Sequence, residues 1–204
     1  MTYSIIQKSQ LEGASRLDAE YYKPEYLDRA KKLKTFPTVK LGNIAFVTDG
    51  EHGSPIFDKE SGIKYFSAQH VKDGYIDPSN AKNISKIIDE RNKRSRLQEN
   101  DILLSTVGTI GFAGLVSKDI LPANIDRHVA RIVIKNEKLD PEFLVAFLNS
   151  DYGKFQSIRQ STGNVQLNLF LNKIREFKIP KNNNSHITKL TKKALALLKS
   201  SKKI

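Results

Sequence analysis

Residues 99–114 read Glu-Asn-Asp-Ile-Leu-Leu-Ser-Thr-Val-Gly-Thr-Ile-Gly-Phe-Ala-Gly, and no other stretch restricts the fold so tightly. Ile102-Leu103-Leu104 is a short apolar run that ends in polar residues. Gly108 and Gly111 punctuate a turn, and Phe112-Ala113-Gly114-Leu115-Val116 starts a second run. Glycine admits turn conformations and lets backbone amides approach an anion such as phosphate. The same texture extends from Val39 to about Ile134. Phe46-Val47-Thr48, Ile63-Lys64-Tyr65-Phe66, Tyr75-Ile76 and Ala130-Arg131-Ile132-Val133-Ile134 are separated by the turn signals Asp49-Gly50, Asp73-Gly74 and Asp119. One polar helix, Ser85 to Gln98, interrupts these strands.

Helices flank this β-rich section. Residues 14–36 read as a helical lead-in, with Pro24 in a first turn and Tyr26, Leu27, Ala30 and Leu33 at helical spacing. Asp140 caps a helix with Pro141 at its first position and Phe143, Leu144, Phe147 and Leu148 as the buried stripe. A second helix near Asp151 buries Phe155 and Ile158, and Ser161-Thr162-Gly163-Asn164 breaks it. Order restarts over Leu167 to Ile174, and Phe177-Lys178-Ile179-Pro180 is a last short strand. After a polar linker, Ile187, Leu190, Ala194, Leu197 and Ile204 follow alternating three- and four-residue steps, with Ser201 as the polar member. So short a helix is marginal alone and wants a partner: the N-terminal helix, another chain, or both. The alternative is an ordinary amphipathic helix on its own domain. The fold class is α+β, divided into a helical lead-in (1–38), a β-rich domain with helical support (39–180), and a linker with a C-terminal helix packing as a helical pair or coiled coil (181–204).

The net charge of +12 favours a polyanionic partner, nucleic acid before acidic membrane. Seven Lys and no acid lie in residues 181–204, a pattern that equally describes a solvated basic tail. Cys is absent, which excludes disulfides and thiolate metal sites. The N-terminus Met-Thr-Tyr-Ser lacks a secretory pattern, and no apolar run approaches the roughly 20 residues of a bilayer span. A cytoplasmic protein is expected, with no membrane partner.

Catalytic signatures are missing. Asp77-Pro78-Ser79-Asn80 lacks the second proline and aromatic of an adenine methyltransferase grip, and reads as a turn. Glu176-Phe177-Lys178 has a nuclease-like Glu-x-Lys spacing without an upstream Pro-Asp. His52, His70, His128 and His186 show no metal-ligand spacing, and Gly108-Thr109-Ile110-Gly111 is not followed by Gly-Lys-Ser/Thr. The expectation is a chain with no catalytic residues, no metal and no cofactor of its own.

What remains is a set of polar, basic loops: residues 49–54, 91–96, 105–109, 124–128 and 161–168. Arg and Lys suit guanine edges and phosphates, and Asn and Gln suit adenine. Each loop also has a plainer account, as a simple turn, the wet face of a helix, or an ion pair of Asp126 with Arg127.

Here a family resemblance becomes specific. Arg16-Leu17-Asp18-Ala19-Glu20-Tyr21-Tyr22 with Pro24, Asp101-Ile102-Leu103-Leu104-Ser105 with Gly108-Thr109-Ile110-Gly111, Phe143-Leu144 with Phe147-Leu148-Asn149-Ser150, and Gly163-Asn164-Val165-Gln166-Leu167-Asn168 leading to Phe177-Lys178-Ile179-Pro180 run in order. Together they resemble the specificity subunits of type I restriction-modification systems. The resemblance implies a target-recognition domain that reads half of a split DNA site in the major groove, and helices that set the half-site spacing and hold modification subunits. It implies double-stranded DNA as ligand, a partner adenine methyltransferase using S-adenosylmethionine, and a partner restriction (translocase-nuclease) subunit where the system cleaves. Complete members carry two recognition domains. This chain has room for one and shows no repeat, so it is a half-length subunit that dimerises, a truncated product, or a module pairing with a second specificity half.

On that resemblance, Arg91, Lys93, Arg94, Arg96 and the backbone amides from Gly108 through Thr109 to Gly111 are expected to meet phosphates. Base contacts are expected among His52, Ser54, Thr106, Arg127, His128, Asn164 and Gln166. Leu27, Ala30, Leu33, Ile187, Leu190, Ala194 and Leu197 are the expected partner or dimer face. Rival readings are the recognition end or cryptic nuclease of a fused restriction-methylation enzyme, and a basic protein that binds nucleic acid without sequence preference.

Overall fold

A computed structural model describes residues 3–9, 11, 16–135, 139–163 and 166–181. The heptad-like series from Ile187 to Ile204, including Leu190, Ala194 and Leu197, lies outside the described residues, as does Asn164. The architecture is mixed α+β, built on a five-stranded sheet. Its strands are β2 (Ala45–Asp49), β4 (Gly74–Tyr75), β6 (Ile102–Ser105), β7 (Ala113–Leu115) and β9 (Val129–Ile134), in the order β2-β9-β6-β7-β4. Only the β4–β7 pair in this sheet is parallel. A smaller sheet orders β5 (Lys82–Asn83), β3 (Lys64–Phe66) and β8 (Ala123–Ile125). A two-stranded pair joins β1 (Thr38–Lys40) to β10 (Lys178–Pro180), with Val39 opposite Ile179.

The central strand explains the apolar run at Ile102. Successive side chains on a strand face opposite sides. Ile102 and Leu104 enter one core with Val47, Leu144, Leu148, Ile174 and Phe177, whereas Leu103 enters a second with Phe66, Val71, Ile125 and Val129. All three are fully buried, so β6 is covered on both faces and has no polar alternation.

Helices α4 (Pro141–Asn149) and α6 (Leu171–Arg175) contribute to the first core, and α5 (Asp151–Gln160) packs against α4. Asp140 Oδ1 accepts from the amides of Glu142 (2.8 Å) and Phe143 (3.3 Å), the expected cap. Phe143, Leu144 and Leu148 are buried as the spacing predicts, and Val145 joins them. Ile158 departs from expectation: it is 43% exposed, because its face of α5 turns towards a cleft shared with the lead-in.

The lead-in is helical only in part. A 3-10 turn over Ala19–Tyr22 precedes α1 (Pro24–Lys34), and residues 16–18 carry no regular structure. This segment packs on its own chain. Tyr26 stacks on Phe155 at 6.5 Å between centroids, and Arg159 Nε donates to the Tyr21 carbonyl (2.9 Å) with its guanidinium 4.0 Å over the Tyr21 ring. Leu33, expected on a partner face, is buried within the chain, while Leu27 and Ala30 are half-buried. The expected helix from Ser85 to Gln98 is likewise shorter. Short helix α2 spans Leu41–Ile44 and α3 spans Lys86–Arg91. Ser85 Oγ caps α3, and Asn92 ends it by turning its amide to Glu51 and to the Ile88 carbonyl (3.0 Å). A 3-10 turn over Lys93–Ser95 follows.

Candidate nucleic-acid interface

The sheet register decides which loops meet. Asp49 at the end of β2 lies opposite Ala130, and Ser105 at the end of β6 lies opposite Val129. The ends of β2 and β6 and the start of β9 therefore share one edge of the molecule. Thr106 N donates to the His128 carbonyl (3.0 Å), and Leu169 N donates to the Thr106 carbonyl (3.0 Å), which brings the 166–171 segment to the same edge. A cleft of about 310 Å³ opens there, and His52, Thr106, Arg127, His128 and Gln166 all line it. Val107, Asn168, Phe170 and Asp49 complete much of its wall. Ser54 is exposed further along the 49–54 loop.

Buried polar groups hold these loops. Glu51 is nearly inaccessible, and its Oε1 accepts from Gly53 N (2.6 Å) while its Oε2 accepts from Asn92 Nδ2. The Gly53 amide and the Asn92 side chain hold the Glu51 carboxyl below its ordinary value, against the opposing effect of burial. Gly50 packs so closely that a Cβ there would overlap the Ile125 carbonyl. Beside Glu51, Asp126 Oδ1 accepts from His128 N (2.8 Å), and burial raises its carboxyl. Arg127 Nε donates to His128 Nε2 (3.2 Å), so the anticipated ion pair of Asp126 with Arg127 is replaced by a contact of Asp126 with His128.

Arg94 reaches this edge from the 93–95 turn. Its Nη2 donates to Asp49 Oδ1 (3.1 Å), and its carbonyl accepts from Arg131 Nη1 (2.9 Å). Arg131 in turn pairs with Asp101, Nε to Oδ2 2.7 Å, with both side chains at most 10% exposed. Asp101 also accepts from Gln98 N (2.7 Å). A second network backs the segment: Asn124 Nδ2 donates to Asp89 Oδ1 (2.9 Å) and Ser95 Oγ donates to Asn124 Oδ1 (2.6 Å).

The basic residues from 91 to 96 are not equivalent. Arg96 is engaged by Asp89 (2.7 Å) and Glu90, and Lys93 by Glu90 (2.7 Å). Those local carboxylates offset both charges. Arg91 is exposed and makes no ion pair among the described residues. The turn at Gly108–Gly111 also differs from a fully open amide cradle. Ile110 N donates to the Gly108 carbonyl (2.9 Å) and Gly111 N to the Ser105 carbonyl (3.0 Å), so those amides are spent inside the turn. Gly108 and Thr109 are exposed at its tip, Gly108 with φ +73°. Glu176, the acid of the nuclease-like tripeptide, pairs with Lys40 (2.7 Å).

In the sequence Asp49, Glu51 and Asn92 stand only as members of the loops 49–54 and 91–96, Asp101 only within the family motif, and Arg131 only as part of a strand. A charged residue inside the apolar run 130–134 was the available signal for Arg131, because such a side chain needs a buried partner.

A β-rich platform with helical support and a polar loop-lined edge matches known proteins. The sequence model of the type I restriction modification DNA specificity domain matches residues 34–199, and the chain belongs to that family. Over 93 residues, 46% of the chain, it is 41% identical to the type I restriction enzyme EcoBI specificity subunit of Escherichia coli. That match covers 19% of the EcoBI subunit. The fold resembles the crystal structure of the HsdS subunit from Thermoanaerobacter tengcongensis (TM-score 0.57, 16% identity, 95% of this chain and 50% of that one). It also resembles the type IIG restriction endonuclease BpuSI (TM-score 0.60, 9% identity, 92% of this chain and 30% of that one). The chain thus spans half or less of the relatives it matches. Among the described residues no group of His, Asp or Glu is placed to hold a metal ion, and no helix is long and apolar enough to cross a membrane.

Proposed function

We propose that this chain reads one half-site of a split DNA sequence and positions a partner adenine methyltransferase, as the specificity component of a type I-like restriction-modification system. The observation that carries the proposal is convergence. Side chains singled out from separate stretches of sequence, His52, Thr106, Arg127, His128 and Gln166, line one cleft on a basic chain. Donors and acceptors of mixed type at one edge suit base edges in a major groove, with Arg91 and the Gly108–Thr109 tip left for phosphates. The methyltransferase would supply S-adenosylmethionine chemistry, and a restriction subunit would join where the system cleaves. Two copies, or one copy and a second specificity half, would complete a bipartite site. A homodimer would favour an interrupted palindrome, since its two-fold axis is mirrored in the DNA.

Selection from a random duplex pool tests the reading. A specific reader enriches one sequence and binds it roughly a thousandfold or more above scrambled competitor. Mixing the chain with the methyltransferase encoded beside it should then methylate adenines in the enriched sequence. Equal binding to all duplexes, or turnover of DNA by the pure chain, would overturn the proposal.

A further inference from the structure

The cleft holds one acid for which DNA reading as proposed above has no use. Asp49 ends β2 with its side chain 17% exposed, while the two side chains that it engages, Arg94 and His52, are 57% and 60% exposed. Its Oδ1 accepts from Arg94 Nη2 (3.1 Å) and its Oδ2 contacts His52 Nε2 (2.8 Å). The acid therefore lies inside and its two partners outside, and Asp49 and His52 line the cleft. The loop does not need this arrangement to stay in place, because Glu51 anchors it independently through Gly53 and Asn92.

Phosphate contacts carry no sequence information, so cations free to grip any backbone raise binding to every duplex alike. A carboxylate beside those cations opposes that term by occupying them and by repelling phosphate. It has lone pairs to spare, since an ionised carboxylate offers about four acceptor sites. The base atoms that can use them are exocyclic amino groups, and acidic side chains accept from cytosine N4 in major grooves. We infer that Asp49 is a specificity-determining residue: it withholds Arg94 and His52 from sequence-independent phosphate binding and accepts a hydrogen bond from an exocyclic amino group of the target. Specificity then comes partly from a repulsive element aimed at wrong sites. The inference rests on the DNA-reading proposal and adds the residue that enforces it.

The test uses the full chain, the duplex enriched by selection, and a scrambled duplex of equal length. If the wild type prefers no sequence, the parent proposal fails and this one with it. If it does, Asp49→Asn should bind scrambled duplex more tightly. Its salt dependence should steepen by about 0.9 in log–log slope for each phosphate gained, or about 3.5-fold more affinity lost between 50 and 200 mM salt. The preference for the selected duplex should fall, with one position relaxed. Adding Arg94→Ala to Asp49→Asn should remove the gain on scrambled DNA. Asp49→Glu, which keeps the charge, should keep scrambled binding low, and Asp49→Ser, which also removes the charge and should likewise raise scrambled binding, serves in place of the Asn variant if that one does not fold. Unchanged scrambled affinity in Asp49→Asn, or equal weakening on both duplexes, would show an ordinary surface ion pair and overturn the inference.

Discussion

Replacing Arg131 by Met should expose how much of this edge depends on one buried ion pair. Arg131 Nε meets Asp101 Oδ2 at 2.7 Å, with the two side chains 10% and 4% exposed. Removing the guanidinium strands a carboxylate that retains only the Gln98 amide, and it frees the Arg94 carbonyl. Breaking a buried pair from one side costs about 3–5 kcal/mol, a large share of the roughly 5–15 kcal/mol that holds a typical domain together. For a chain of this size that is a fall in Tm of about 6–20 °C. The cost should depend on pH with a definite sign. Burial already raises the Asp101 carboxyl above its ordinary 3.8 despite Arg131, and losing Arg131 raises it further. The native variant then binds more protons than its unfolded chain above that value, so its stability falls as pH rises. Urea denaturation at pH 4.5 and 7.5 should show the variant closer to wild type at the lower pH. Asp101→Asn added to Arg131→Met removes the stranded charge and should recover part of the loss. A cost under about 1 kcal/mol, or a gap that ignores pH, would refute the account of a buried charge held by its partner.

Three further expectations concern the cleft. Gln166→Ala should relax one base position of the selected site by about 1–3 kcal/mol without changing thermal stability, measured by competition binding. Glu51→Gln should flatten the acid limb of the stability curve. The depressed carboxyl contributes stability that is present above its ordinary 4.5 and is lost as pH falls, so denaturation between pH 3 and 7 should show a smaller slope in the variant. Gly50→Ala should push the 49–54 loop off residues 125–126, because its Cβ has no space beside the Ile125 carbonyl. Loss of sequence preference, accompanied by lower Tm, is the expected readout.

Local chemistry determined much of the framework from the sequence alone. Proline at Pro24 and Pro141, the Asp140 cap, and the glycines of the 108–111 turn act over a few residues, so their signals are complete in a short window. The apolar run at Ile102 likewise announced a strand, and packing on both its faces is what the structure adds. Family membership was legible for the same reason, through short motifs in fixed order. Helix lengths at 14–36 and 85–98 were not, because their ends are set by contacts with distant residues: Arg159 with Tyr21, and Asn92 with Glu51.

The candidate interface divides along the same line. Loop composition marked His52, Thr106, Arg127, His128 and Gln166 as polar, and the β2–β9–β6 register together with the Leu169–Thr106 hydrogen bond then put them on one edge. Tertiary structure alone decided which charges are spent. Arg96 and Lys93 meet neighbouring acids, whereas Arg94 reaches across 45 positions to Asp49, and Asn92 across 41 to Glu51. Periodicity and composition report what a residue can do. Whether its charge is free, paired or buried is an outcome of strand register and packing between segments far apart in the chain.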